Sequence, residues 1–162
     1  KNLIRTIKAL KTIDCTLLIV GKLTEEQEVL LKETNIKFKN YLGISISEIN
    51  QLYRDADIIS FVSLYEGFGN VLAEALSAGL YCISRDCPHG PSEILNDGEF
   101  GILINPSDDL AIVFNEINLD YENYIARVNS SYRKVLHKHL QNFTSEEFSK
   151  RLLLLMAEIE TI

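Results

Sequence analysis

Two spacings of apolar residues alternate along this chain, one typical of helices and the other of buried strands. Between residues 3 and 10, apolar side chains recur every three or four positions, as they do on one face of an amphipathic helix. Residues 16–20, Thr-Leu-Leu-Ile-Val, then form a short continuous apolar run that ends at Gly21. Such a run, bounded by glycine, is typical of a buried strand. The start of the chain therefore predicts a helix followed by a strand.

The same alternation continues through the rest of the sequence. Apolar runs predict further strands at 36–38, 58–62, 81–84 and 101–104. Amphipathic stretches predict further helices at 24–33, 47–54, 70–78, 91–95, 107–118, 122–139 and 145–159. We expect Ser47 and Ser107 to cap the amino ends of two of these helices, and Gly79 to end a third.

Short apolar strands that alternate with amphipathic helices are typical of βαβ crossovers. They predict an α/β fold in which one parallel sheet is flanked by helices on both faces. A length of 162 residues is usual for a single domain with one core. Because open α/β sheets bind ligands at the carboxyl ends of their strands, we expect functional residues in the loops that follow positions 20, 38, 62, 84 and 104.

Composition and charge narrow the classes of function. The sequence has 16 basic and 23 acidic side chains, for a net charge of -7. This charge repels nucleic acid phosphates and anionic lipids, so nucleic acid is not expected as a partner. The odd number of cysteines, Cys15, Cys82 and Cys87, argues against a disulfide framework and favours a cytoplasmic location. No apolar run reaches the roughly 18 residues of a membrane span, and no signal peptide is recognisable.

The loop after residue 62 combines a glycine-bearing turn with the start of a helix. There the backbone amides of Gly69, Asn70 and Val71 become the unsatisfied donors of a helix amino terminus, which attracts anions. Gly67 and Gly69 allow a ligand such as a diphosphate to approach the backbone closely. Glycine-rich turns before helices are common, so these residues alone support a phosphate site and an ordinary turn equally.

Two carboxylates flank this turn at a spacing of eight residues. Glu66 lies just before the helix and Glu74 about one turn inside it. Carboxylates accept hydrogen bonds from sugar hydroxyls, so the pair can hold polyol groups on either side of a phosphate. The competing interpretation is structural, with Glu74 stabilising the first turn by its charge and Glu66 a solvated loop residue. The residues alone favour this structural interpretation.

A family resemblance changes that balance. Residues 63–79, Ser-Leu-Tyr-Glu-Gly-Phe-Gly-Asn-Val-Leu-Ala-Glu-Ala-Leu-Ser-Ala-Gly, closely resemble the signature of the family 4 retaining glycosyltransferases of the GT-B fold. Residues 83–95 and 98–106 resemble the segments that follow it in the same family, in the same order and spacing. The resemblance implies that residues 1–162 form one domain, the Rossmann-like, carboxy-terminal domain that binds the nucleotide sugar.

The resemblance also implies roles for individual residues. Glu66 would contact hydroxyls of the transferred sugar and is the candidate catalytic residue, whereas Glu74 would bind the donor ribose. Ile44 lies in the segment that resembles the family's base-contacting loop, and Lys1 resembles the end of an element whose lysine neutralises donor phosphate. The implied donor-binding residues are Lys1, Ile44, Gly67, Phe68, Gly69, Asn70, Val71 and Glu74.

The implied reaction moves a hexose-type sugar from a UDP- or GDP-linked donor to the hydroxyl of a sugar or lipid-linked acceptor, with retention of anomeric configuration. Helix amides and Lys1 would stabilise the departing diphosphate, so neither a metal ion nor a cofactor is expected. Such enzymes would serve bacterial surface polysaccharide, lipopolysaccharide or glycoconjugate synthesis. The full-length protein is expected in the cytoplasm, at the inner face of the cell membrane.

Two parts of the family pattern are missing from the sequence. The family's donor domain begins with a strand that carries Gly-Arg, and a separate amino-terminal domain binds the acceptor. We therefore expect a sheet that lacks its first strand, a central one, so that the strands beside the gap have unpaired edges, and a chain that is inactive by itself. Unpaired strand edges and the apolar block at 152–156 would favour self-association.

Some positions depart from the family, and other functions remain open. Arg85 is either an added phosphate partner or, as we favour, a surface charge, and His89 is expected to be an exposed bystander. We expect no metal site at Cys82, Cys87 and His89, because no fourth ligand is near in sequence. The alternatives are a non-catalytic nucleotide-binding module and a GT-B-fold sugar-nucleotide epimerase, which would need additional acid and base residues.

Overall fold

A computed structural model describes the chain over residues 2–127 and 130–143, with the backbone alone over 119–127 and 130–134. The strands are β1 (Thr16–Val20), β2 (Lys37–Tyr41), β3 (Ile58–Phe61), β4 (Tyr81–Arg85) and β5 (Gly101–Ile104). The helices are α1 (Leu3–Ala9), α2 (Glu25–Glu33), α3 (Ile46–Asp55), α4 (Asn70–Ser77), α5 (Pro91–Ile94), α6 (Leu110–Arg127) and α7 (Ser130–Leu140). Lys1 and the helix predicted at 145–159 lie outside the described residues.

The strands form two parallel sheets rather than one continuous sheet. β1 pairs with β2, beginning at Thr16 opposite Lys37. β4 lies between β3 and β5, with Ile58 opposite Tyr81 and Cys82 opposite Gly101. In the described part of the chain no ladder joins β1 to β3. All pairings are parallel, as predicted, and the α/β class with helices flanking parallel strands is confirmed.

The three-stranded sheet separates two hydrophobic clusters among the described side chains, where the sequence predicted one core. Successive residues point to opposite faces of a strand. Thus Cys82 packs in one cluster, with Leu72 and Phe100, and its neighbour Ile83 packs in the other. Helices therefore cover both faces of this sheet, as predicted for parallel strands.

The cluster that contains Ile83 also holds the two sheets together. Ile7 of α1 and Ile19 of β1 pack in it alongside Ile83. The hydroxyl groups of Thr6 and Ser60 lie 3.0 Å apart, which adds a side-chain hydrogen bond between α1 and β3. The sheets are joined here by side chains rather than by backbone pairing.

Several predicted boundaries are wrong, because a strand register, a polar contact or the lack of a helix-breaking residue extends or shifts the element. β2 continues to Tyr41, beyond the predicted loop start, since Tyr41 remains in register with Val20. Asp109, and not Ser107, caps α6, because its carboxylate accepts a hydrogen bond from the Ala111 amide at 2.9 Å. The helix continues through the predicted break at 118–122 to Arg127, since no glycine or proline interrupts it there.

The amino terminus of α3 also differs from the prediction. Ser45, and not Ser47, is the N-cap: its hydroxyl accepts a hydrogen bond from the Glu48 amide at 3.3 Å, and the Glu48 carboxylate accepts one from the Ser45 amide at 2.7 Å. This reciprocal pair is a capping box. The Ser45 amide and, as the second cause, the Ser45 hydroxyl, which lies 2.7 Å from Glu48 Oε2, hold the pKa of the Glu48 carboxyl below its usual range.

We expect Ser45→Ala to destabilise the protein by about 1 kcal/mol, because it leaves the Glu48 amide without its acceptor. Urea unfolding followed by circular dichroism measures this change. Ser47→Ala is the matched control, since the hydrogen bond of the Ser47 hydroxyl to the Ser45 hydroxyl, at 2.9 Å, is the only one of its side chain in the described structure. Equal losses in the two variants would show that the cap is misplaced.

None of the helices in the described ranges is both long enough and apolar enough to cross a membrane.

Candidate functional site

The predicted anion site lies at the carboxyl end of β3, where the chain turns into α4. Gly69 is the N-cap residue, with φ of 94°, a conformation that glycine adopts without strain. The Gly69 carbonyl accepts hydrogen bonds from the amides of Leu72 and Ala73 at 2.8 and 3.2 Å. Among the described residues, the amides of Asn70 and Val71 have no carbonyl partner. These amides remain available at the positive end of the α4 dipole.

The loop after β4 lies directly against this turn. Gly90 is buried, and a Cβ atom added to it would lie 1.7 Å from the carbonyl oxygen of Phe68. Gly90 also has φ of 101°, which side-chain-bearing residues rarely adopt. The two loops are therefore in backbone contact. The sequence analysis missed this role of Gly90, although the proline that follows it marks a turn.

Glu66 lies in the same region and is partly buried. Burial raises the pKa of the Cys87 thiol, and the negative charge of Glu66 raises it further, whereas Arg85 lowers it. The carboxylate of Glu66 and the guanidinium of Arg85 are thus both close enough to act on Cys87. The charge of Asp86 also raises the pKa of Cys87, so Cys87 lies within reach of charges from both the loop after β3 and the loop after β4.

Glu74 is exposed on α4, and its Oε2 atom accepts a hydrogen bond from the Tyr53 hydroxyl at 3.1 Å. Tyr53 lies on α3 and is half-buried. Burial, followed by the hydrogen bond and the charge of Glu74, raises the pKa of Tyr53 to about 12. The sequence analysis missed Tyr53, because no spacing rule connects residues on two separate helices.

The other predicted donor-binding residues differ in what they present. Gly67 is exposed, and a Cβ atom added to it would contact nothing within 4 Å, so the space above it is open. The Phe68 ring packs against Phe143, with centroids 5.4 Å apart, which leaves its backbone as the group that a ligand could contact. Ile44 is partly buried and immediately precedes the Ser45 cap. Lys1 lies outside the described residues.

Ser63 is a third residue, after Gly90 and Tyr53, that the sequence analysis did not single out. It follows β3 by two positions and is 2% exposed. Its hydroxyl is buried and has no hydrogen-bond partner among the described residues. Buried hydroxyls are almost always paired with protein, water or ligand. Ser63 therefore supplies an unused hydrogen-bonding group at the start of the loop.

No group of three or more His, Cys, Asp or Glu side chains within residues 2–127 and 130–143 is arranged to hold a metal ion. His89 is exposed and has φ of 67°. The three cysteines are free thiols.

Comparisons with known proteins find relatives of this chain by sequence and by fold. The sequence model of one protein family, described as glycosyl transferases group 1, matches residues 1–118. The Campylobacter jejuni N-acetylgalactosamine-N,N'-diacetylbacillosaminyl-diphospho-undecaprenol 4-alpha-N-acetylgalactosaminyltransferase is 33% identical to this chain over 109 residues. The alignment covers 66% of this chain and 30% of that protein.

Two solved structures share the fold. WaaG, a glycosyltransferase involved in lipopolysaccharide biosynthesis, superimposes with a TM-score of 0.64 at 21% identity and covers 92% of this chain. The pneumococcal O-GlcNAc transferase GtfA, in complex with UDP and GlcNAc, gives 0.61 at 23% identity and covers 97%. The chain spans 41% and 32% of their lengths. The prediction of a Rossmann-like fold of the GT-B type is thereby confirmed.

Proposed function

Because this chain belongs to the family of group 1 glycosyl transferases, we propose that it binds the nucleotide-sugar donor of a retaining glycosyltransferase. The observation that carries this proposal is the amino terminus of α4. The Asn70 and Val71 amides lack carbonyl partners there, and Glu66 and Glu74 lie on either side of them in sequence. Free amides bind phosphate oxygens, and carboxylates bind sugar hydroxyls.

The relatives support particular donors and acceptors. GtfA was crystallised with UDP and GlcNAc, so we propose a UDP-linked donor, with a GDP-linked donor as the alternative, and a hexose-type sugar. The name of the Campylobacter relative specifies a lipid-diphosphate acceptor. We therefore propose a sugar or lipid-linked acceptor, used in surface polysaccharide, lipopolysaccharide or glycoconjugate synthesis at the cytoplasmic face of the membrane.

In the proposed mechanism, the bond between the anomeric carbon and the β-phosphate oxygen breaks. The acceptor oxygen bonds to the same face of that carbon, and the departing phosphate takes the acceptor's proton. Negative charge that develops on the diphosphate is stabilised by the Asn70 and Val71 amides and by the α4 dipole. We propose that this stabilisation, with a contribution from Lys1, makes a metal ion unnecessary.

The two carboxylates have separate roles in this scheme. Glu66, in the loop that precedes α4, would position the sugar by accepting hydrogen bonds from its hydroxyls. Glu74, about one turn inside α4, would hold the ribose. Ile44 would lie against the base.

The test is a calorimetric titration of the full-length protein with UDP, GDP and ADP in the presence of EDTA. We expect one uridine or guanosine diphosphate to bind. Glu74→Ala should weaken that binding roughly tenfold to a hundredfold, because a hydrogen bond to a charged group contributes about 1.5–3 kcal/mol.

The matched control is Glu33→Ala, which removes an exposed glutamate from α2. It should leave the affinity unchanged. If no nucleotide binds, or if Glu74→Ala binds as tightly as the unsubstituted protein, the proposed donor site is wrong. A protein that binds the donor but releases no nucleoside diphosphate with any acceptor would instead be a non-catalytic nucleotide-binding module.

A further inference from the structure

Tyr53 and Glu74 form a side-chain hydrogen bond that joins two separate helices, α3 and α4. The Tyr53 hydroxyl donates to Oε2 of Glu74 at 3.1 Å, across 21 positions of sequence. Tyr53 occupies the last third of α3, and Glu74 lies at the fifth position of α4. The bond therefore fixes an exposed carboxylate of one helix against a half-buried ring of another.

The surroundings of Tyr53 favour donation of a hydrogen bond from its hydroxyl to Glu74. The Tyr53 ring is partly buried, which restricts its orientation, whereas neighbouring polar residues of α3 bond among themselves. Gln51 accepts a hydrogen bond from Arg54 at 2.7 Å and donates one to Asp55 at 2.7 Å. A tyrosine hydroxyl carries one proton, and with a pKa of about 12 it keeps that proton throughout the physiological range. Tyr53 is thus a permanent donor to Glu74.

The contact leaves most of the carboxylate free. An ionised carboxylate has about four acceptor positions on its two oxygens, and Tyr53 occupies one of them. The other oxygen, Oε1, has no partner among the described residues. A free glutamate side chain would lose rotamer freedom on binding a ligand, and a side chain that is already oriented loses less.

We infer that Tyr53 is a positioning residue, which orients the Glu74 carboxylate so that it accepts hydrogen bonds from the ribose hydroxyls of the donor. This inference rests on the proposed function, since it deepens the role of Glu74 in the same site. Tyr53 does not touch the ligand. It acts through the orientation of Glu74.

The test compares UDP and GDP with their 2',3'-dideoxy counterparts in titrations of the full-length protein. Tyr53→Phe keeps the ring and removes only the hydroxyl. We expect it to weaken binding of the ordinary nucleotide about three- to tenfold and to leave binding of the dideoxy nucleotide unchanged. In a Glu74→Ala background, Tyr53→Phe should have no further effect, because the group that it orients is gone.

The outcomes separate this inference from the proposed function. If Glu74→Ala weakens binding but Tyr53→Phe does not, the inference is wrong and the donor site stands. If Tyr53→Phe weakens binding of the ordinary and the dideoxy nucleotide equally, the role of Tyr53 is structural and the inference is again wrong. If neither UDP nor GDP binds the unsubstituted protein, both the proposed function and this inference are wrong.

A second measurement checks the pair without any ligand. Carbon-13 NMR of labelled tyrosines gives the pKa of Tyr53 directly. Glu74→Gln removes the charge that raises this pKa, so the value should fall below about 12 but stay above the ordinary tyrosine value, because burial is the larger cause. An unchanged pKa would show that the hydrogen bond does not exist in solution.

Discussion

Gly90→Ala is expected to destabilise the protein by about 3–5 kcal/mol, a large part of the roughly 5–15 kcal/mol that stabilises a typical domain. The added methyl group would lie 1.7 Å from the Phe68 carbonyl oxygen. Because that oxygen belongs to the backbone, the whole loop must move, and overpacking of this kind costs about 1–3 kcal/mol. The φ of 101° adds strain of similar size for any residue with a side chain.

Gly79→Ala separates the two causes. Gly79 has φ of 92°, but a Cβ atom added there would contact nothing within 4 Å. It should therefore show the strain alone, about 1–2 kcal/mol. Guanidinium unfolding of both variants measures the difference. If Gly90→Ala costs no more than Gly79→Ala, the loops after β3 and β4 are not in backbone contact in solution. The displaced Phe68 should also weaken nucleoside diphosphate binding in Gly90→Ala, since Gly69 and Asn70 follow it directly.

Glu66→Gln is expected to lower the rate of sugar transfer by the full-length enzyme roughly a hundredfold. The substitution keeps the shape of the side chain but removes its charge, and a small misplacement of the reacting sugar is enough for a loss of this size. Binding of the nucleoside diphosphate without its sugar should stay within about twofold. Release of nucleoside diphosphate from the sugar donor measures the first quantity, and calorimetry measures the second.

Glu74→Ala provides the contrast, since it should strongly weaken binding of the nucleoside diphosphate that carries no sugar. If Glu66→Gln also abolishes binding of the nucleoside diphosphate without its sugar, the assignment of Glu66 to the sugar is contradicted. The structure supplies a check that the substitution acts locally. Loss of the Glu66 charge should lower the pKa of the Cys87 thiol, while burial still holds it above the ordinary value.

Local sequence features predicted the elements of this fold well where glycine or proline sets a boundary. β5 begins at Gly101, and α5 begins at Pro91, as expected. Capping was harder, because several polar residues compete at each helix start. Ser45 and Asp109 prevailed over the predicted caps since their side chains reach the second or third helical amide. The pairing of strands within the two sheets cannot be read from any single segment, because strand pairing joins residues far apart in sequence.

The candidate site also contains some residues that the sequence predicted and others that only the structure identifies. The turn from Glu66 to Glu74 is one continuous segment, so its glycine spacing and its two carboxylates were visible in the sequence. Gly90 and Tyr53 reach the site from other segments, through a backbone contact and a hydrogen bond that depend on tertiary packing. The Ser63 hydroxyl became noticeable only when its burial and lack of a partner were known.

The chain passes from the first sheet to the second through α3, and in the described structure no ladder joins β1 to β3. A nucleotide bound as proposed would touch both sides of this boundary, with its base near Ile44 after β2 and its diphosphate near Asn70 after β3. The limited distance that a nucleotide can span between its base and its diphosphate would then restrict the separation of the two sheets. By thermodynamic reciprocity, any change that alters this separation also alters affinity. The Thr6 and Ser60 hydroxyls, 3.0 Å apart, join α1 to β3. If the donor binds as proposed, a substitution that removes this hydrogen bond should change donor affinity although neither residue is proposed to contact the donor.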